Sequence, residues 1–460
     1  MANVVIGPLL GHHGRCQRRG ESANTHLNPA PQIIKTMADR LDVSLFGRLV
    51  GILTIHGPLR SPEDWVFQYL PDHLSGNPGS PVSVRMPVRR EAYSGAVVRN
   101  WACNLLPEGD ARQSIGEQFP DTTPDEFDLL SLLGGECAGA VAFHPGEGSA
   151  PIGGCLLDNA DAVDLEAILR KRDPNTWWSP LNLVGRRALA GAQDKLAVVV
   201  EPDGVVRLPV EGEWSTHLIK PDSPRLPGLC EREALGMGVA EAIGLPVAKT
   251  RPITIAGRHA FLIERYDRVV TTSGDALPVH QEDFCQVFGL PPEFKYQSPN
   301  GVSLANIVGW CRDELPREQD AVSALLSWTA FNLLIGNADA HAKNLSILRD
   351  IDGHICLAPF YDLVPTISFS ETLVDRTPAL RIGAAESIDA VTHEDLRTLA
   401  IQSDWEPAQL LDRVDELASR LLVALPVVAG NLADEGCRPD VLHRVRGVVE
   451  EQCHRMAAIC

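Results

Sequence analysis

LLIGNADAHAKNLSIL, Leu333–Leu348, is the stretch from which the rest of the chain is read. An apolar run ends at Gly336, and Asp339, His341, Lys343 and Asn344 then fall within six residues. Asp339 and Asn344 have four residues between them, and Asp362 follows Asn344 by eighteen residues, inside LAPFYDLVP. Carboxylate and carboxamide oxygens are hard donors of the kind that hold Mg²⁺, which usually takes one or two carboxylates plus phosphate oxygens. By itself the stretch also reads as a polar turn after a helix. The choice depends on what else the chain carries.

With 44% hydrophobic and 22% charged residues, the 460-residue chain is of ordinary globular composition and long enough for two to four domains or subdomains. The net charge of −19 argues against a broad nucleic-acid face, because phosphate contacts need clustered Lys and Arg. The 11 cysteines include no C-x-x-C and no zinc-finger spacing, so they read as thiols in a reducing cytosol. The longest apolar stretch, Leu421–Ala433, contains Pro426 and Gly430 and is too short to span a bilayer. The N-terminus lacks the order of a signal peptide, so the expected location is cytoplasmic, away from membranes.

Residues 1–36 show no periodicity and read as a flexible extension, with Met37 near the natural start. LDVSLFGRLVGILTIH reads as a hairpin around Gly47. Ser80–Val88 is a strand candidate; Val97–Leu106, Asp125–Leu133 and Asp161–Arg170 read as helices. Ala190–Gly191–Ala192–Gln193 is a small-residue loop before a strand, Lys195–Val200, and Asp203–Gly204 turns into another strand. Lys220 ends a strand in STHLIKPD; Glu231 and Glu233 open the next helix. Ala260–Arg268 is a strand ending in charged residues, and beyond Asp267 the periodicity is helical. The fold class is therefore α+β: a β-rich N-terminal half, a helical C-terminal half, and a boundary near 268–280.

The spacing Asp339-x-x-x-x-Asn344 is that of the protein-kinase catalytic loop, where the Asp orients the attacking hydroxyl and the Asn holds a metal ion. A small-residue loop between strands covers nucleotide phosphates in such enzymes, and a strand Lys paired with a helix Glu fixes them. Each element has a plainer reading, as a β-turn, a solvated strand end or an edge strand. Their order along one chain is what selects the kinase reading.

AGAQDK, THLIKP, the acidic helix start, ERYDR, HQEDFCQVFG with KYQ, LIGNADAHAKN and LAPFYDL occur in that order, most strongly over 189–364. This set resembles the HipA family, the serine/threonine kinase toxins of type II toxin–antitoxin systems. The resemblance implies a two-lobed protein-kinase-like fold with an extra N-terminal subdomain (37–157), a nucleotide-binding N-lobe region (158–270) and an all-α C-lobe (271–460). It implies a phosphate loop at Ala190, Gly191, Ala192, Gln193, Asp194 and Lys195, and an ATP-binding Lys220 paired with Glu233. It implies an adenine-facing hinge at Glu264, Arg265 and Tyr266, and a catalytic Asp339. The nucleotide- and metal-contacting residues would be His341, Ala342, Lys343 and Asn344, with Tyr361 and Asp362 downstream; Asn344 and Asp362 would be the Mg²⁺ ligands. Where kinases generally carry Lys two residues after the catalytic Asp, this chain has His341, as the family does.

The implied cofactors are ATP and Mg²⁺. The implied partners are a HipB-like helix-turn-helix antitoxin and a protein substrate, an aminoacyl-tRNA synthetase such as the glutamate enzyme, with DNA met only through the antitoxin. Some family members are regulated by phosphorylation of a Ser beside the phosphate loop. The matching position here is Ala188, and 181–200 contains no Ser or Thr. Two other readings of the same motifs are a small-molecule kinase on a similar scaffold and a catalytically idle kinase fold acting as a corepressor or binding module.

Overall fold

The structure, a computed structural model, describes residues 39–460 apart from 58–59, 76–79, 118–123, 147–185 (of which only Leu165 and Leu169 are described), 211, 272–273 and 316–319. The expected leader at 1–36 lies outside the described residues, as does most of the expected 161–170 helix. Leu165 and Leu169 of that stretch are helical and buried.

Strands β1 (Arg40–Leu45) and β2 (Arg48–Ile55) form the expected hairpin. Phe46 and Gly47 turn it with φ of 52° and 72°, the backbone sign that tight hairpins require. With β3 (Trp65–Tyr69), β4 (Tyr93–Ser94) and β5 (Val141–Pro145) they make an antiparallel sheet in the order β4-β3-β2-β1-β5. Helices Ala96–Cys103 and Glu126–Leu133 cover a core that includes Trp65, Phe67, Trp101 and Phe143. Asp125 caps the second of these, accepting from the Asp128 amide. The expected strand at 80–88 does not form. Pro81 and Pro87 cannot donate to a ladder, and Ser83 and Met86 close a tight turn instead.

A second sheet of β6 (Leu196–Val200), β7 (Val206–Arg207), β8 (His217–Pro221), β9 (Thr250–Ile255) and β10 (Arg258–Glu264) has the order β7-β6-β8-β10-β9. Helix Leu229–Ala242 packs against β9 and β10 on one side and the C-terminal helices on another. Gly236 makes this possible, since a Cβ there would overlap the Leu363 carbonyl. After a short hairpin, β11 (Arg268–Val270) and β12 (Ala276–Pro278), the chain enters the helical lobe.

That lobe is built from helices Leu304–Glu314, Asp320–Ile335, His393–Gln402, Pro407–Asp434 and Pro439–Ile459 around one large apolar core. It also carries a small antiparallel sheet, β13 (His280–Asp283), β14 (Ser346–Arg349) and β15 (Ile355–Leu357), which the helical periodicity did not reveal. Pro407–Asp434 is long and apolar enough, by length and composition, to cross a membrane. The sequence expectation counted only its apolar end. Leu410, Val414, Leu417, Leu421 and Leu425 form a buried stripe on it, packed toward its neighbouring helices, as on a core helix. Of the nine described cysteines, seven are buried.

Candidate active site

Helix Asp320–Ile335 ends at Gly336, and the chain turns into the loop that carries Asp339 and Asn344. Asn337 donates to Asn332 Oδ1 at 2.8 Å and accepts the Asp339 amide at 3.2 Å. The Ala338 amide donates to Thr366 Oγ1 at 2.7 Å, and its carbonyl accepts the Ala379 amide. Asn344 Oδ1 accepts the His341 amide at 2.9 Å, and β14 then pairs with β13. The loop is thus held at both ends, and Asp339 is left facing an open cleft.

A cavity of about 810 Å³ runs between the sheet of β6–β10 and the helical lobe. Its lining includes Ala190–Gln193, Lys195, Lys220, Glu264–Asp267, Asp339, His341, Lys343, Asn344, Tyr361 and Asp362. Residues far apart in sequence therefore share one wall. Asp194 and Ala342 do not line it; Ala342 is fully buried behind the loop.

Lys220 Nζ lies 2.6 Å from Glu233 Oε1 and 2.8 Å from Asp362 Oδ1. Burial opposes the lysine charge, but the Asp362 and Glu233 carboxylates outweigh it, so the pKa of Lys220 moves up and the ammonium is held. Burial works against the Asp362 charge as well, yet Lys220 and Lys195 keep that carboxyl below its usual range. Asp362 sits at φ 61°, a left-handed conformation that a non-glycine residue seldom adopts and that recurs at functional sites. Its other oxygen accepts Asn344 Nδ2 at 3.0 Å. Glu233 Oε2 is buried without a hydrogen-bond partner.

Asp339 opens onto the cleft but has protein around most of its carboxyl. Burial first, and then the Asp362 charge, push its pKa up to about 6, against the opposing pull of Lys295 and a hydrogen bond from Tyr296. His341 is kept neutral by burial and by Lys295, with its pKa pushed down to about 3. Lys195 donates to the Ala190 carbonyl at 2.6 Å; burial and then the Lys220 charge bring its pKa down to about 8.

Two expected nucleotide contacts are used differently. The Arg265 guanidinium turns away from the cleft. It bonds Glu136 at 2.9 Å, Asp267 at 2.7 and 2.9 Å, and the Cys137 carbonyl at 3.0 Å. Its amide donates to Thr216, and that of Glu264 to Lys249. Arg265 thus fastens the hinge, and its side chain is not available to adenine. Lys343 Nζ is bound by Asp283 at 2.6 Å and by Asn104 at 2.8 Å, and so braces the loop against the N-terminal subdomain. Tyr266 and Tyr361 stack at 5.5 Å beside the hinge, and the Tyr361 hydroxyl is held by Ser346 and the Lys343 carbonyl. Ala188 is fully buried in the core of the N-terminal subdomain, its amide donating to the Glu136 carbonyl.

The structure also brings forward Glu108, Asp283 and Lys295, to which the sequence assigned no role. HQEDFCQ and KYQ mark the last two as motif segments; Glu108 lies in an unremarkable Pro-Glu-Gly turn.

A two-lobed α+β scaffold with a Lys–Glu pair behind the sheet, an Asp–Asn loop below it and a second Asp closing the cleft is a protein-kinase-like fold. Models of the HipA N-terminal domain and the HipA-like C-terminal domain match residues 41–144 and 187–424. The protein Y4mE of Sinorhizobium fredii, provisionally named a kinase, is 37% identical over 402 residues, 86% of this chain and 93% of that one. The serine/threonine-protein kinase toxin HipA of Shewanella oneidensis is 30% identical over 308 residues, 62% of this chain and 67% of the toxin. A solved structure from Shewanella oneidensis, of toxin–antitoxin system HipA with HipB and its operator DNA, aligns at TM-score 0.72 and 23% identity, covering 90% of this chain and 97% of that one. The chain belongs to the HipA family and is a homologue of its kinase toxins.

Proposed function

We propose that the protein is an ATP-dependent serine/threonine protein kinase that transfers the γ-phosphoryl group of ATP to a hydroxyl on a protein. The observation that carries this reading is the convergence of Asp339, Asn344, Asp362, the Lys220–Glu233 pair and the 190–195 loop on one cavity.

The donor set suits a hard divalent cation with a nucleotide. The Asp362 carboxylate and the Asn344 carboxamide lie together, and the Glu233 Oε2 beside them is buried without a hydrogen-bond partner. Mg²⁺ held by Asp362 and Asn344 would neutralise phosphate charge. Lys220, oriented by Glu233, holds the α/β-phosphates. The 190–195 backbone covers them at close range, with small side chains allowing the approach. Asp339 accepts or orients the proton of the attacking hydroxyl, and its raised pKa keeps it a competent base at neutral pH. Most of the rate enhancement comes from positioning and charge stabilisation.

As a toxin the kinase acts in the cytoplasm and halts growth by inactivating a translation component, with an aminoacyl-tRNA synthetase as the class to test first. A helix-turn-helix antitoxin neutralises it, and with −19 on this chain operator affinity comes mainly from that partner. The support is family membership and the HipB-bound fold of the Shewanella neighbour. The test is phosphoproteomics of cells expressing the wild type or Asp339→Asn. New phosphoserine or phosphothreonine confined to the wild type is expected; identical phosphoproteomes would sink the assignment.

A further inference from the structure

Among the described residues, the N-terminal subdomain reaches the reaction cleft at Ala138 and through the short turn Pro107–Ala111, whose Glu108 lines it. The Glu108 amide donates to the Gly191 carbonyl at 3.0 Å, and the Ala111 amide donates to the Ala192 carbonyl at 3.3 Å. Pro107 and Gly191 are bridged as in a parallel sheet. These amides open helix Gly109–Gly116, where N–H groups have no partner within the helix, so the loop carbonyls fill a vacancy that helix geometry creates. Gly109 allows the contact: at φ 49°, a Cβ on it would lie 3.2 Å from the Ala192 Cβ. With the carbonyls of 191 and 192 turned to the subdomain, this part of the phosphate loop is pinned from behind.

The Glu108 side chain continues into the cleft. Its Oε2 is 3.0 Å from Lys295 Nζ, and its Oε1 is 3.6 Å from Lys343 Nζ. The Lys295 carbonyl accepts the amide of Ala342, in the catalytic loop. Tyr296, the next residue, interacts with the Asp339 carboxyl and meets the His341 ring edge-on at 5.6 Å. Backbone to phosphate loop and carboxylate to the two lysines flanking Asp339: one residue spans both halves of the reaction geometry.

We propose that Glu108 is a positioning residue for phosphoryl transfer, fixing the 190–193 loop through its backbone and the Lys295–Tyr296 segment against Asp339 through its carboxylate. This rests on the kinase reading of the cleft. It gives the N-terminal subdomain a share in catalysis that neither its core nor its sheet would suggest.

Glu108→Gln leaves the backbone contact and removes the charge, while Glu108→Asp keeps the charge on a shorter arm. Glu108→Gln is expected to lower kcat about tenfold, the scale of a small misplacement of reacting groups. Nucleotide affinity, measured by calorimetry, and thermal stability should stay near wild type, and Glu108→Asp should recover part of the loss. Lys295→Met should lower kcat similarly, and the double variant should be no worse than either single one, because both remove the same pair. Full kcat in Glu108→Gln, or additive losses in the double variant, would overturn the proposal. If the wild type transfers no phosphate, the kinase reading fails first. The clamp is then decided by amide exchange: Glu108 and Ala111 should be protected at least about a hundredfold, and unprotected amides there would reject it.

Discussion

Two clusters of buried charge lie on either side of the hinge, and they are finished differently. Behind it, Arg187, Arg265 and Arg268 surround Glu136 and Asp267, and every carboxylate oxygen has a donor. Ser215 and the Gly139 amide add to the set. Burial favours a neutral Glu136, but Arg265, Arg187 and Arg268 outweigh it and pull the pKa down to about 2. In front of the hinge, Lys220 bridges two carboxylates with Lys195 as a second cation nearby, Glu233 Oε2 has no hydrogen-bond partner, and Asp339 is pushed up to about 6. The first cluster pairs all its carboxylate oxygens, leaving only Arg187 Nη2 and Arg268 Nε without a partner, and joins lobe to subdomain. The second keeps an unpaired carboxylate oxygen and a carboxyl with a raised pKa at the cleft, the pattern of a site as opposed to a strut.

Lys220→Met should separate the two most sharply. It should cost phosphoryl transfer about a hundredfold or more by removing a fixed charge aimed at phosphate. It should also lower the melting temperature, because Glu233 is left buried without a cation. A radiometric transfer assay beside a melting curve checks both; retained transfer would mean Lys220 is structural only.

Glu136→Gln should do the reverse. Breaking the hinge cluster should cost about 3 kcal/mol of stability, read by denaturant titration, with kcat per folded molecule unchanged. A large fall in kcat without a stability loss would place the hinge cluster in the chemistry.

The pH dependences have opposite signs. The Asp339 pKa lies above its unfolded value, so its protonated form adds stability below about pH 4, and that contribution is lost as pH rises through about 6. Activity needs the ionised form, so kcat/KM should fall about tenfold per pH unit below about 6. The Glu136 pKa is depressed, so its contribution is present above the ordinary Glu value near 4 and is lost as pH falls through about 2. Asp339→Asn should therefore melt higher than wild type at pH 8 and no higher at pH 4, while Glu136→Gln melts lower at pH 7. A flat acid limb of kcat/KM would remove Asp339 as the base.

The smallest expected effect is at Ala188. Its side chain is fully buried beneath the phosphate loop, so Ala188→Ser should take up little phosphate when incubated with Mg-ATP. Stoichiometric phosphate at position 188 by peptide mapping would show that the loop leaves its seat.

What the sequence disclosed and what it hid divide along physical lines. Hairpin β1–β2, the capped helix at Glu126–Leu133 and the strand after the phosphate loop follow from local patterns: a Gly turn, an Asp cap, an apolar run opened by small residues. The Asp339–Asn344 loop and Asp362 are marked in the sequence by residue types at fixed spacing, and the structure brings Asp339, Asn344 and Asp362 to one cleft. Ser80–Val88 misleads because alternation outweighed two prolines. Arg265 lines the cleft at the hinge as the sequence placed it, but a sequence does not say which way its guanidinium points. Glu108 and Lys295 are 187 residues apart, and no local pattern announces a pair made by docking one subdomain against another.

The central claim is that Asp339 activates a hydroxyl in a nucleotide cleft assembled without it. It is tested most directly by measuring γ-phosphoryl transfer and ATP binding on the same samples of wild type and Asp339→Asn. The account predicts transfer reduced about a thousandfold with ATP affinity within a few-fold of wild type. Equal transfer by both proteins, or loss of ATP binding along with transfer, would contradict it.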